Sequence, residues 1–328
     1  MTLVAVGACY IDTILTTSHY PGEDDKLRAS RISRRRGGNC PNTLEVLQQL
    51  VAQNPPATKT QLNLIAILPA RSSVASQQVR DAFEPQVSLS HCIYREGFEE
   101  PASSYIIKSE SSGSRTIVNY NELPEMTLEE FIQITDNLRT EAIWYHFEGR
   151  MPDVTLACIR HIRTRYPGTK VSVELEKPGR EGLQELAEEA DVVFYSKSWA
   201  QANGYGSAKE CVEKQSSLTP NALLLCSTWG QDGAAALETI SSTVVHSPAY
   251  TPKGFQVIDT IGAGDTFIAG MLYGLIEKGD TWDLSQKLDM ANRLAGTKVA
   301  QEGFGGLGRV LETYYQVCES TYFTVRNR

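Results

Sequence analysis

The feature that most constrains this chain of 328 residues is the stretch Asp259–Phe267, which is Asp-Thr-Ile-Gly-Ala-Gly-Asp-Thr-Phe. Large apolar residues recur at helical spacing directly after it, so its glycines lie where a loop becomes a helix. Gly262 and Gly264 permit a close backbone approach, and the first amides of a helix are unpaired donors. This corner is therefore predicted to bind an anion. Asp265 would stand beside that anion as a general base, and the alternative is that it only caps the helix.

The composition favours a small-molecule partner. The chain has 31 basic and 39 acidic residues and a net charge of −8, which argues against nucleic acid and anionic membranes as partners. The seven cysteines and five histidines lack the paired spacing of zinc ligands, which predicts reduced thiols in a cytoplasmic protein. No apolar run reaches the roughly 18 residues of a membrane span, and the N-terminus lacks a signal-peptide pattern. A catalytic metal is expected to arrive with a phosphate substrate.

Two further polar positions follow the first predicted strand. Asp12 lies beyond the strand that ends near Gly7, where open α/β sheets bind ligands, so it is a candidate for holding hydroxyl groups; a turn is its alternative role. Residues 37–42, Gly-Gly-Asn-Cys-Pro-Asn, precede a second helical pattern, with Asn39 as the predicted N-cap. The side-chain amides of Asn39 and Asn42 can each donate to and accept from a sugar hydroxyl.

Strand-like and helix-like segments alternate through the middle of the chain. Strands are predicted at 62–68, 142–147, 170–175, 192–195 and 223–226. This alternation is typical of an α/β fold with a mainly parallel sheet between helical layers. Three segments interrupt it, at 12–17, 26–36 and 103–120. They are predicted to form a small separate β-sheet that acts as a lid and offers a dimer contact.

Two other places suit phosphate recognition. Arg115 begins a predicted lid strand and could donate two hydrogen bonds to phosphate oxygens when the lid closes. The alternative is a surface arginine without a role. Thr228, Gly230 and Gly233 follow a buried strand and could cradle a phosphate or adenosine, with a plain hairpin turn as the alternative. The chain lacks the P-loop and Rossmann glycine patterns.

Together these stretches resemble the signatures of the ribokinase-like (PfkB) carbohydrate kinases. Asp259–Phe267 is similar to their C-terminal signature, and residues 37–42 are similar to their N-terminal one. Within that family the similarity is greatest to the ketohexokinases, through residues 36–42, 114–118, 146–150, 173–178 and 192–197. The resemblance implies a ribokinase-like three-layer α/β/α kinase domain over residues 1–310, with the β-sheet lid inserted in it. Residues 311–328 would be an extension of unknown role.

The resemblance also implies a reaction. It implies an ATP-dependent phosphotransferase that acts on the primary hydroxyl of a ketose, with D-fructose converted to fructose 1-phosphate. Kinases of ribose, 2-keto-3-deoxygluconate or adenosine are the alternatives, and a catalytically silent sugar-binding regulator is the alternative outside enzymes. ATP and Mg²⁺ are the implied cofactors, with K⁺ as a further candidate. A homodimer through the β-lid is implied as well.

The resemblance assigns roles to individual positions. Asp265 would be the catalytic base, with Gly262, Ala263 and Gly264 as the anion hole. The implied sugar-binding residues are Asp12, Gly38, Asn39, Asn42 and Asp265. The implied nucleotide-binding residues are Arg115, Thr228, Gly230, Gly233, Asn292, Ala295 and Val299, and for the last three a helix core is the alternative. The metal ligands stay undetermined. Glu174 or Glu176 could hold magnesium through water, and their alternation along a strand predicts that only one faces the site.

Overall fold

The computed structural model describes residues 1–55, 60–83, 85–138 and 143–315. The strands are β1 (Thr2–Val6), β2 (Tyr10–Thr17), β3 (Arg31–Gly37), β4 (Gln61–Ile65), β5 (Ile67–Pro69), β6 (Val87–Ser88), β7 (Ile93–Arg95), β8 (Ser103–Ser109), β9 (Arg115–Tyr120), β10 (Ile143–Glu148), β11 (Lys170–Leu175), β12 (Val192–Tyr195), β13 (Leu224–Thr228), β14 (Ala234–Glu238) and β15 (Thr243–Ser247). The helices are α1 (Asn39–Val51), α2 (Val74–Phe83), α3 (Leu128–Asn137), α4 (Pro152–Arg165), α5 (Leu183–Glu189), α6 (Lys197–Ala202), α7 (Ala208–Gln215), α8 (Ala263–Tyr273) and α9 (Leu284–Val299).

Within these ranges, a 9-stranded central sheet has the order β15-β14-β13-β12-β11-β10-β1-β4-β6. Its strands are parallel except at one edge, where β14 and β15 are antiparallel to their neighbours. Side chains alternate between the two faces, so each face carries its own apolar cluster. One cluster contains α1, α2, α8 and α9, and the other contains α3 to α7. The predicted three-layer α/β/α arrangement with a mainly parallel sheet is confirmed.

A second sheet lies outside these layers. It is 4-stranded in the described part of the chain and has the order β3-β2-β8-β9. The registers place Asp12 beside Arg35 and Ser104, and Ser104 beside Asn119, so these side chains share one face. Every residue of β9 is exposed. The prediction of a small separate sheet is confirmed, although its strand β3 begins only at Arg31 and not at residue 26.

Two local predictions differ from the structure. The apolar run 62–68 forms two strands and not one, because the Ala66 carbonyl accepts from the Ile93 amide at 2.9 Å and β5 pairs with β7 away from the central sheet. Helix α1 begins at Asn39 with Gly38 as its N-cap, so Asn39 is not the cap. Gly38 has a φ of 102°, and a Cβ there would lie 2.1 Å from the Ala8 carbonyl oxygen. Only glycine can make this approach, and it leaves the Asn39 side chain available.

Packing continues past the predicted boundary at residue 310. Leu311 and Tyr314 are buried, and the Tyr314 ring lies 5.3 Å from the ring of Trp282. The remainder of the predicted extension 311–328, residues 316–328, lies outside the described residues, as does the first residue of the strand predicted at 142–147. No helix in the described ranges is long and apolar enough to cross a membrane.

Candidate active site

A cleft of about 530 Å³ lies between the carboxyl ends of the central strands and the inner face of the small sheet. Ligands collect at this end of open α/β sheets because loops and helix N-termini converge there. The predicted residues that line it are Asp12, Gly38, Asn39, Asn42, Arg115, Glu174, Glu176, Thr228, Gly262, Ala263, Gly264 and Asp265. The two glycine corners, which are far apart in sequence, therefore meet at one site.

Asp265 is held at the start of α8 by a buried chain of hydrogen bonds. Its Oδ2 accepts from Asn42 Nδ2 at 2.7 Å, and Arg36 Nη1 donates to Asn42 Oδ1 at 3.0 Å. Because Arg36 occupies the oxygen of the amide, Asn42 must present its nitrogen to Asp265. The N-cap of α8 is Gly262, so the alternative that Asp265 merely caps the helix is wrong.

The backbone before Asp265 presents free donors. Gly262 has a φ of 78°, and a Cβ there would lie 2.4 Å from Cζ of Phe304, so this turn requires glycine. The amides of Gly264 and Asp265 have no acceptor within the described residues. A Cβ at Gly264 would meet nothing within 4 Å, so the backbone here opens onto the cleft. Unpaired amides at the positive end of a helix form an anion site.

Several carboxyl groups lie close to one another in the buried part of the cleft. Burial raises the pKa of Asp265 to about 8, although the hydrogen bond from Asn42 acts in the opposite direction. The nearby charges of Glu176 and Glu148 also raise this pKa. Burial, followed by the charges of Asp265 and Glu176, raises the pKa of Glu174 well above its usual range. These groups disfavour one another's ionised forms, so a cation or a donated proton stabilises the site.

Both Glu174 and Glu176 line the cleft, and the prediction that only one faces it is wrong. Strand β11 ends at Leu175, so Glu176 has left the strand and its alternation no longer applies. Asn39 Nδ2 lies 3.1 Å from Glu174 Oε2 and 3.4 Å from Glu176 Oε2. No cluster of three or more metal-ligating side chains occurs among the described residues. These carboxylates therefore fit a hard cation bound mainly by water and phosphate oxygens.

The remaining lining residues come from the lid and a strand end. Asp12 is 6% exposed, and burial raises its pKa although Ser104 hydrogen bonds to the carboxyl and Arg35 lies near it. Arg115 donates to the hydroxyl of Thr260, directly before the glycine turn. Thr228 ends β13 at the cleft.

Five predicted nucleotide residues lie outside the cleft lining. Gly230 and Gly233 belong to the turn between the antiparallel strands β13 and β14, which is the hairpin given as their alternative. Asn292 is buried and donates to the Ser247 carbonyl at 2.9 Å. Ala295 packs on the core, and the Val299 carbonyl accepts from the Ile258 amide at 2.8 Å. These contacts give the five residues structural roles, and nucleotide binding by them stays a prediction.

Comparison with known proteins identifies the family. Residues 1–307 match the model of the pfkB family carbohydrate kinases. The chain belongs to this family. It is 31% identical to mouse (Mus musculus) ketohexokinase over 312 residues, which cover 93% of this chain and 98% of the relative. This pfkB-family kinase is therefore a phosphotransferase with an alcohol acceptor.

Solved structures share the fold of this pfkB-family kinase at low identity. The ribokinase of Thermotoga maritima superposes with a TM-score of 0.75 at 15% identity, covering 96% of this chain and 99% of that one. Arabidopsis thaliana ribokinase, in a complex with ribose and ATP, superposes with a TM-score of 0.72 at 17% identity, covering 95% and 98%. The ribokinase-like fold is thereby confirmed.

Some residues of this kinase's cleft were given no role from the sequence, although Glu148 and Arg150 lie in the stretch 146–150 that carries the resemblance. Glu148 is the last residue of β10, Arg150 lies two residues after it, and Asn119 faces the cleft from lid strand β9. The Ala8 amide donates to Glu148 Oε2 at 2.9 Å, while Arg150 pairs with Glu125 at 2.8 Å. A polar residue at the carboxyl end of a parallel strand is the signal that could have found Glu148. Asp12 was predicted from the same signal, although it lies within lid strand β2.

Proposed function

We propose that this protein transfers the γ-phosphoryl group of ATP to the primary hydroxyl of a ketose, with D-fructose as substrate and fructose 1-phosphate as product. The observation that carries the proposal is the buried Asp265 carboxylate, held by Asn42 beside the unpaired amides of Gly264 and Asp265. This arrangement combines a proton acceptor with donors for a phosphoryl group. The similarity to mouse ketohexokinase supports the choice of fructose.

The residues divide the work of phosphoryl transfer. Asp12, Asn39 and Asn42 hold the sugar hydroxyls, and Asp265 accepts the proton of the primary hydroxyl as its oxygen bonds to the γ-phosphorus. The bond from that phosphorus to the bridging oxygen of ATP breaks, and ADP leaves. Amides of the 262–264 turn stabilise the equatorial oxygens of the transferring group, and Arg115 adds positive charge from the lid.

Magnesium fits the acidic wall of the cleft. When bound with ATP it would neutralise phosphate charge, and Glu174 and Glu176 are the residues that would hold it through water. Replacement of KCl by choline chloride in the acceptor assay described next tests separately whether the reaction uses potassium.

A panel of acceptors tests the proposed function. The purified protein is given magnesium and ATP with fructose, ribose, 2-keto-3-deoxygluconate or adenosine, and ADP release is measured for each. We expect the highest kcat/KM with fructose, and NMR of the product should place the phosphate on carbon 1. A preference for a non-ketose would overturn the ketose assignment. Sugar binding without any ADP release would instead indicate a silent regulator.

The pH dependence of kcat/KM is expected to rise with pH and to level off above about 8. Burial raises the pKa of Asp265 to about 8 in the free protein, with Glu176 and Glu148 adding to the increase, and only the ionised carboxylate accepts a proton. The profile is measured between about pH 6 and pH 10. Glu176→Gln removes a neighbouring negative charge, so its rising limb should move to lower pH. A profile that does not rise would contradict Asp265 as the base.

We further propose a homodimer through the outer face of the lid. This face carries exposed apolar side chains, including Ile32 (59%), Tyr105 (51%) and Val118 (59%), and Tyr105 pairs directly with Val118 across β8 and β9. A contiguous exposed apolar patch on an open sheet marks a contact with another protein surface. A second copy of the same face would cover it symmetrically.

Val118→Asp is expected to convert the dimer to monomers, because it places a charge in the centre of the apolar contact. Light scattering should give about twice the 36.2 kDa chain mass before the change and one chain mass after it. Ile240→Asp is the matched control, since Ile240 is 82% exposed in a turn far from the lid in sequence. A monomeric unmodified protein, or equal effects of both changes, would contradict the lid contact.

A further inference from the structure

Basic residues of the lid contact the segment that leads into the glycine turn, residues 258–264, here called the anion-hole segment. Lys108 Nζ donates to the Ile258 carbonyl at 3.0 Å, Arg35 Nη1 donates to Asp259 Oδ2 at 2.9 Å, and Arg115 donates to Thr260. The three cations lie on β8, β3 and β9. The lid therefore contacts three successive residues of this segment from three different strands.

Asp259 is the residue of this segment with the most contacts. Its Oδ1 accepts from the Ile261 amide at 3.0 Å, which fixes the turn immediately before Gly262. Its Oδ2 accepts from Arg35, from Lys298 Nζ at 2.9 Å and from the Gly303 amide at 3.3 Å. One carboxylate thus joins the lid, helix α9 and the backbone of the anion-hole segment.

Lys298 anchors this carboxylate to the body of the protein. It is 0% exposed on α9, and its Nζ also donates to the Asp259 carbonyl at 3.0 Å. The same Nζ lies 5.1 Å from the centre of the Phe304 ring, whose edge fills the space beside Gly262. Burial opposes ionisation of Asp259, but the hydrogen bond and charge of Arg35, together with Lys298, lower its pKa below the usual range. The Asp259 carboxylate therefore stays ionised at neutral pH. Burial lowers the pKa of Lys298, and the hydrogen bond and charge of Asp259 oppose that shift.

Arg35, at the lid end of the cluster, makes one hydrogen bond to Asp259, whereas Lys298, at the body end, makes two. Arg35 uses one amino nitrogen for Asp259, and its Nη2 is buried without a hydrogen-bond partner among the described residues. Arg35 also lies directly opposite Asp12 in the register of β2 and β3, on the face that lines the cleft. A movement of the lid at the sugar-binding Asp12 must therefore move Arg35 relative to Asp259.

We propose that Asp259 is a positioning residue that links the lid to the anion hole, with Arg35 as its contact on the lid and Lys298 as its anchor in the body. Contact between Arg35 and Asp259 holds the Ile261–Gly262 turn in the geometry that directs the following amides at the phosphoryl group. Preorganised donors of this kind act on the transition state, so the link should affect turnover more than sugar binding. The inference rests on the proposed kinase activity.

Arg35→Gln tests the link, with Arg31→Gln as the matched control. Both residues lie on β3 and both lose one charge, but Arg31 pairs with Glu302, through side chains that are 59% and 51% exposed, and not with Asp259. We expect Arg35→Gln to lower kcat about tenfold while the KM for sugar rises no more than about threefold. Arg31→Gln should leave both constants unchanged. Arg35→Lys restores a donor and should recover part of the lost kcat.

The outcomes separate this inference from the proposed function. An unmodified protein that phosphorylates no acceptor in the panel would remove the proposed function. An active unmodified protein with equal kcat for Arg35→Gln and Arg31→Gln would overturn the link while leaving the function intact. The link would also be overturned if KM and kcat changed together. A third contradicting result would be that thermal melting shows Arg35→Gln to be unfolded while Arg35→Lys has lost as much activity as Arg35→Gln.

Discussion

Asp265→Asn is expected to lower kcat by about 10²–10⁴-fold, the usual contribution of a general base. The side chain keeps its shape and can still accept from Asn42, but an amide cannot take the proton of the attacking hydroxyl. Sugar affinity, measured by calorimetry, should change little because the loss is confined to the transition state. Turnover is measured by ADP release under saturating substrates.

Stability provides a check on this change. Burial disfavours the charge of Asp265 in the folded protein, so a neutral amide at that position should leave the melting temperature unchanged or raise it. Asp280→Asn is the matched control, because Asp280 is an exposed acid in the short helical turn Gly279–Thr281, which follows α8 in the chain. Undiminished turnover of Asp265→Asn would remove Asp265 from the mechanism, and so would an equal loss in the control.

Lys298→Met is expected to cost about 3–5 kcal/mol of unfolding free energy, which is typical of removing one partner from a buried ion pair. Lys298 is 0% exposed and donates to both the side chain and the carbonyl of Asp259. Methionine fills most of the space but removes one of the donors to the Asp259 carboxylate and the donor to the Asp259 carbonyl. Arg35 remains on Asp259, which favours the lower end of the range.

Urea unfolding measures this loss, with Lys170→Met as the control. Lys170 also pairs with an aspartate, Asp191, but at 3.5 Å and with a side chain that is 45% exposed. Such pairs contribute less than about 1 kcal/mol, so the control should unfold at nearly the same urea concentration as the unmodified protein. If Lys298→Met were no less stable than Lys170→Met, the buried ion cluster would not hold this part of the fold.

The sequence predicted the layers and the two glycine corners because each depends on local physics. Strands 170–175 and 192–195 have the predicted bounds, since short apolar runs between helical patterns fit a strand covered on both faces. Gly38 and Gly262 have positive φ and mark turns that other residues adopt only with strain. Parallel strands all end at one edge, so these corners could be expected to meet there.

What the sequence could not supply was the pairing of charges across the fold. Asn42 and Asp265 are separated by 223 positions, and Arg36 determines which end of the Asn42 amide reaches the carboxylate. The role of Glu176 depends on where β11 stops, and single residues at strand ends are poorly predicted. Lys298 does leave a signal, because it continues the buried helical spacing of Ala291 and Leu294, where a lysine requires a partner.

The cleft draws its reacting groups from strand ends, helix starts and the lid, while the two apolar clusters lie beneath it on either side of the sheet. A replacement at the rim can change which acceptor fits without opening a cavity in the interior. A replacement in the interior can likewise be compensated by its neighbours without moving Asp265. Substrate preference and folding stability can therefore evolve by separate mutations, except at core side chains such as Phe194 and Phe267 that also line the cleft.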